Sequence, residues 1–250
     1  VSPEPLVPLR WSTGSVLLLT VIVVALMLAA GALAVSASDV LGVTGDALTL
    51  AQLGILTAAY ALPFSVVWQR ARAAEVTLAA AFGFRRFEAG RSIAAAIGTV
   101  VIARLVNVAY TSLLSALGVE PPSAIDITRL FPDTPVGIVA TVLLVLLVAP
   151  LAEEALFRGV IYAGLRDRYG ELVGLVVSSG VFAAFHFELY VFAPIFVLGL
   201  LLGRIMSRSR SLWPAVIAHA LFNASALVIL YVLPALGLAC APTGTGTALL

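Results

Sequence analysis

Ala149-Pro150-Leu151-Ala152-Glu153-Glu154-Ala155-Leu156-Phe157-Arg158 is the stretch on which the reading of the chain turns. It closes the apolar run Val136 to Val148, so two adjacent carboxylates and a guanidinium stand at the end of a segment otherwise suited to hydrocarbon. A charge near the bilayer centre costs about 2.5 to 3.5 kcal/mol even on a lenient insertion scale, and charges kept there usually carry function. On a helix Glu154 and Arg158 lie at i and i+4, the spacing of a side-chain ion pair, while Glu153 points about 100° away. One carboxylate is then neutralised locally and its neighbour stays available. An ordinary charged helix end at the membrane interface accounts for the same residues when the stretch is read alone.

Composition supplies the setting. Of 250 residues 62% are hydrophobic and 11% charged, with a mean hydropathy of +1.12. These values describe an all-α polytopic membrane bundle rather than a soluble domain. All 14 basic residues are arginine, so Schiff-base chemistry on a lysine is excluded. Cys240 is the single cysteine, which rules out an intrachain disulfide and a cysteine-based metal site. No basic stripe interleaved with aromatics is present, which disfavours nucleic acid as a partner.

About seven apolar spans follow from the hydropathy pattern: Val16 to Val35, Leu48 to Trp68 with Pro63 inside it, Ile93 to Leu117, Val136 to the carboxylate pair and beyond, Leu172 to Phe187, Tyr190 to Ile205, and Trp213 to Leu233. The first is read as a retained anchor, because its apolar run exceeds that of a signal-peptide core, although Val35-Ser36-Ala37 resembles a cleavage site. Arg70, Arg72, Arg85, Arg86 and Arg91 surround the apolar Val76 to Phe84, a pattern expected to lie against anionic membrane lipid. The chain thus divides into anchor spans and a basic interfacial segment over 1–92 and a helical bundle over 93–250. Arg104 and Asn107 in the third span are read as structural pairs inside the bundle. Gly199 and Gly203 give the sixth span a GxxxG face.

The N-terminus and the loops after the second, fourth and sixth spans carry twelve of the 14 arginines, counting Arg158 and Arg204 with them, against Arg129 opposite. The positive-inside rule then puts the N-terminus in the cytoplasm and the C-terminus outside a cell membrane.

Both histidines fall in spans with a partner on the same helix face: Phe182 with His186, and His219 with Asn223. Glu, His, His and Asn drawn from three helices would form a polar cavity able to bind and deprotonate a water. The same residues could instead hold a divalent metal, and the HExxH helix of common zinc proteases is absent. A proton-coupled transporter also uses buried Glu, His and Arg, but strung from face to face.

EExxxR at Glu153, Glu154 and Arg158, FxxxH at Phe182 and His186, and HxxxN at His219 and Asn223 resemble, in order, the three motifs of the CAAX-protease and bacteriocin-processing family of intramembrane proteases, also called CPBP or Abi. The likeness covers about 136–231. It implies an endopeptidase acting on a peptide or lipidated protein, whether a prenylated CAAX-type or a bacteriocin or leader-type substrate; non-proteolytic immunity proteins share the fold. By motif position Glu153 activates water with His186, His219 and Asn223 form the oxyanion site, and Glu154 with Arg158 support them. The motif aromatics Phe157, Phe182 and Phe222 are expected at the substrate. Glu153, His186 and His219 would be the ligands if the family's divalent metal, zinc, is held, and a metal-free glutamate mechanism needs none. One tension arises: His186 lies about 21 Å into its span but His219 only about 9 Å into its own, at about 1.5 Å per residue.

Overall fold

The computed structural model describes residues 6–119, 131–132, 134–186, 188–233 and 236. Five of its helices are long and apolar enough to cross a membrane: α1 (Thr13–Val35), α3 (Gly45–Ala73), α5 (Ala89–Ala116), α6 (Pro135–Tyr169) and α8 (Leu189–Ser209). Two shorter apolar helices join them, α7 (Glu171–Ala184) and α9 (Trp213–Leu227). The short α2 (Ala37–Leu41) and α4 (Leu78–Phe82) lie in connections. The helical membrane bundle expected from composition is the architecture observed. Arg129 and the other residues of 120–130 lie outside the described residues, as does Cys240.

Local chemistry sets the helix ends. Ser12, Thr77 and Thr134 each cap a helix start through the side-chain oxygen, and Pro135 follows Thr134 at the first position of α6, where its missing N–H costs nothing. Gly170, at φ +89°, turns α6 into α7. At the far end of α7, His186 supplies the stop. Its Nδ1 atom lies 2.8 Å from the Phe182 carbonyl, the acceptor its own amide would take in a continuing helix, while that amide bonds Ala183 O instead. The helix therefore ends with its acceptor satisfied, and α7 runs for 14 residues rather than a full span.

α6 and α8 form the centre. Phe157, Ile161, Tyr162, Leu198, Leu202 and Met206 are all at most 1% exposed. α7 packs along α8, α1 along α3, and α5 against both α8 and α9. On the outside, Leu17, Leu18 and Val21 of α1 and Leu105 of α5 stay exposed, as lipid-facing side chains should. The glycine face of α8 meets α7 as its spacing suggests: a Cβ on Gly199 would lie 2.9 Å from Ser179 Cβ, and one on Gly203 would lie 2.6 Å from Leu175 Cδ2.

One end of the apolar part of the basic segment packs inward: Ala81 and Phe82 are buried, Phe82 packs edge-on to Phe64, and the Phe82 backbone sits against Gly159 of α6, while Leu78 stays exposed. Gly83 O accepts the Leu212 amide and Arg85 O accepts the Ser211 hydroxyl, so this turn covers the start of α9. Arg72 and Arg91 remain exposed beside it. Ser211 and Leu212 are fully buried beneath this turn, whereas Trp213 at the start of α9 stays exposed.

Close packing at Gly199 is testable. Gly199→Ala should lower stability in detergent by about 1 to 3 kcal/mol, the usual cost of overpacking. Gly180→Ala, whose Cβ would meet nothing within 4 Å, should melt with the wild type or slightly above it, since alanine favours helix by about 1 kcal/mol. Equal melting temperatures for both variants would contradict the contact.

Candidate active site

The site is built on the middle of α6, where two π turns, Leu144–Val148 and Phe157–Tyr162, flank the α-helical segment Ala149–Leu156 that carries both glutamates. In the first, the Ala149 amide bonds Leu144 O, a reach of five residues. The next bond of that pattern would join Val145 O to residue 150, but Pro150 has no N–H. The stranded Val145 carbonyl instead accepts Asn223 Nδ2 at 3.0 Å, which straps α9 to α6. Proline thus frees a carbonyl beside the carboxylates, as its position predicts, and the HxxxN motif uses it.

Glu154 is the junction. Its Oε1 atom accepts Arg158 Nη1 at 2.9 Å and also lies 2.9 Å from His219 Nδ1. A carboxylate in this pairing only accepts, so Nδ1 carries the hydrogen and the opposite ring nitrogen, Nε2, faces away. Arg158 is anchored twice more: Nη2 donates to Gly199 O at 3.1 Å, and its guanidinium lies over the Phe182 ring at 4.3 Å. Arg158 and Glu154 are both fully buried. Such a pair is held by mutual attraction in a medium without competing water, and either partner alone would be a stranded charge.

Glu153 points elsewhere. Its Oε1 accepts the Tyr60 hydroxyl at 2.7 Å, and its Oε2 stands 4.0 Å from His219 Nε2. The Phe182 ring meets both imidazoles edge-on, His186 at 5.0 Å and His219 at 5.7 Å between centroids. The six polar residues singled out from the motifs thus gather around one stretch of α6, on α6, α9 and the end of α7. Of the aromatics, Phe157 lines a narrow, largely apolar cleft with Val23, Met27, Tyr60, Phe64 and Glu153. Phe182 and Phe222 are both buried, and each lies under a guanidinium, Phe182 under Arg158 and Phe222 under Arg104 at 3.9 Å.

Arg104 pairs structurally, as read from sequence, with Nε donating to Ser225 Oγ at 2.8 Å and Nη2 to Phe222 O, so α5 steadies α9 behind His219. Asn107 is buried, and its Oδ1 meets no partner among the described residues. Tyr60 is the contact that motif reading missed. Its signal was a phenol in the middle of an apolar span, three residues before Pro63.

A catalytic zinc takes three protein ligands. Among the described residues no group of three or more His, Cys, Asp or Glu side chains is placed to hold an ion, so Glu153, His186 and His219 as arranged do not fit one.

Residues 135–225 match the Rce1-like family, type II CAAX prenyl endopeptidases. The Rce1-like segment contains all three motifs and leaves α1, α3 and α5 outside it. Together with the five long apolar helices of the chain, the match points to an integral membrane protein. A 24.3 kDa uncharacterized protein of Escherichia coli is 34% identical over 110 residues, covering 42% of this chain and 49% of that protein. The chain therefore spans about half the length of that relative. No solved structure matches.

Removing one member of the buried pair should be costly. Glu154→Ala and Arg158→Ala should each destabilise the protein by about 3 to 5 kcal/mol, read as a large fall in melting temperature in detergent. Unchanged melting in both would contradict the pairing.

Proposed function

We propose that this protein is an intramembrane endopeptidase that hydrolyses a peptide bond in a membrane-associated substrate, with Glu153 as the base. The observation that carries the reading is the shared Oε1 atom of Glu154: held there by Nδ1, His219 turns Nε2 toward Glu153 Oε2 across 4.0 Å. That gap is too long for a direct hydrogen bond and is one that a single oxygen atom bridges.

A water in hydrogen-bond reach of Oε2, oriented with the help of His186, gives its proton to Glu153 as its oxygen attacks the carbonyl carbon of the scissile bond. The carbonyl oxygen takes the charge. His219, held by Glu154, and Asn223, which has a second Nδ2–H beyond the one on Val145 O, stabilise that oxyanion. Collapse of the intermediate breaks the C–N bond, and the amine leaves with the proton that Glu153 accepted. A proton relay would string its groups from face to face, whereas Glu153 and Arg158 are within about 7.5 Å of helix rise of one another.

The apolar cleft ending on Glu153, with Phe157 in its wall, supports a substrate whose apolar part lies in the membrane, a lipidated CAAX-type protein or a leader-type peptide. The arginine distribution supports an N-terminus in the cytoplasm and a C-terminus outside.

Glu153→Ala and His186→Ala should each lower peptide cleavage by at least about 100-fold while the folded protein stays in the membrane. The assay is mass spectrometry of membrane and released peptides from cells carrying the wild type or Glu153→Gln; full activity in any of these variants removes the assignment.

A further inference from the structure

The contact between Tyr60 and Glu153 is not explained by the three motifs, since it comes from α3, outside the matched segment 135–225. Tyr60 is half-buried, while Glu153 is 7% exposed. Their oxygens are 2.7 Å apart, the short separation of an O–H donating to a carboxylate. Burying a phenol hydroxyl in an apolar span needs a partner, and among apolar neighbours such as Phe64 and Leu156 Glu153 provides it. The consequence for Glu153 is larger than that for Tyr60.

A glutamate carboxylate turns about its last torsion in a broad, roughly two-fold well. With both oxygens free, either would face His219. The Tyr60 hydroxyl engages Oε1 alone, which leaves Oε2 as the atom opposite His219 Nε2. Helix α3 carries Pro63 one turn beyond Tyr60, and proline removes the N–H that would bond the Ala59 carbonyl, so the phenol sits where α3 is able to bend toward α6. Val67 on α3 and Phe82, which packs edge-on to Phe64 of α3, belong to the same buried cluster as Phe157 of α6. The donor is thereby carried on a packed helix rather than on a loop.

We infer that Tyr60 is a positioning residue for Glu153: its hydroxyl fixes the carboxylate so that one oxygen is turned to the reaction site, and the N-terminal helices are part of the working machinery. The role in turnover rests on the endopeptidase reading; the pairing itself does not.

Tyr60→Phe, made in the full chain in detergent or nanodiscs, removes the hydroxyl and keeps the ring. The infrared difference spectrum between wild type and Tyr60→Phe should contain a carboxylate-stretch band, and that band should vanish when the same difference is taken in a Glu153→Gln background. Absence of the band, or its persistence without Glu153, overturns the proposal whatever the protein hydrolyses. With a cleaved peptide in hand, Tyr60→Phe should lower kcat by about 10- to 100-fold, the scale of an ångström-sized misplacement, with KM within about twofold and melting unchanged. Unchanged kcat, or a change confined to KM as for a wall of the cleft, overturns the positioning role. A wild type that cleaves nothing while the band behaves as expected removes the endopeptidase reading and leaves the pairing standing.

Discussion

The Oε1 atom of Glu154, shared by Arg158 and His219, is the interaction on which the interior of this bundle depends. Three ionisable groups are withdrawn from water at that point, and each is tolerable only because the other two are there. The guanidinium spreads its remaining charge onto Gly199 O and the face of Phe182, which ties α6 to α8 and α7. Fixing α6, α7, α8 and α9 with respect to one another also fixes the imidazole of His219. The same bonds therefore hold the fold together and aim the ring toward Glu153.

Helix geometry supplies the second constraint. Adjacent residues on a regular helix diverge by about 100°, which sends Glu154 into the ion cluster and Glu153 toward Tyr60. The π turns on either side of the pair, with Pro150 between them, leave the Val145 carbonyl without a main-chain donor. Asn223 fills that place. A helix irregularity that would be a defect in lipid becomes an attachment point for α9, because no backbone polar group inside a membrane goes unmatched without cost. His186 does the same at the end of α7, with its ring standing in for its own amide.

The first three long helices belong to this arrangement as well. α1 and α3 wall the cleft beside Glu153, α3 brings Tyr60, and α5 brings Arg104 to the back of the helix that bears His219. The turn at Gly83 and Arg85 closes over the start of α9. Glycines at 159, 164 and 199 let Phe82, Trp11 and Ser179 come close to the central helices, so the small residues of the core record where its neighbours press hardest.

Read alone, the chain already determined the helical membrane class, the approximate spans, the Glu154–Arg158 pair and the three motifs. Each of these follows from spacing along one helix or from the cost of placing a residue in hydrocarbon, and both are local properties. Sequence gives a ring's position along a helix but not which face a neighbouring cation will cover, as Arg158 covers Phe182 and Arg104 covers Phe222. For the basic segment, periodicity reports an apolar face and is silent on which of its residues Gly159 receives, as it receives Phe82. Only the tertiary structure decided that His219 shares an oxygen of Glu154, that α7 stops at His186, and that Tyr60 reaches Glu153 from 93 residues away. Those contacts join helices distant in sequence, and no pattern within a single helix encodes which groups the packing of the bundle will bring within hydrogen-bonding distance.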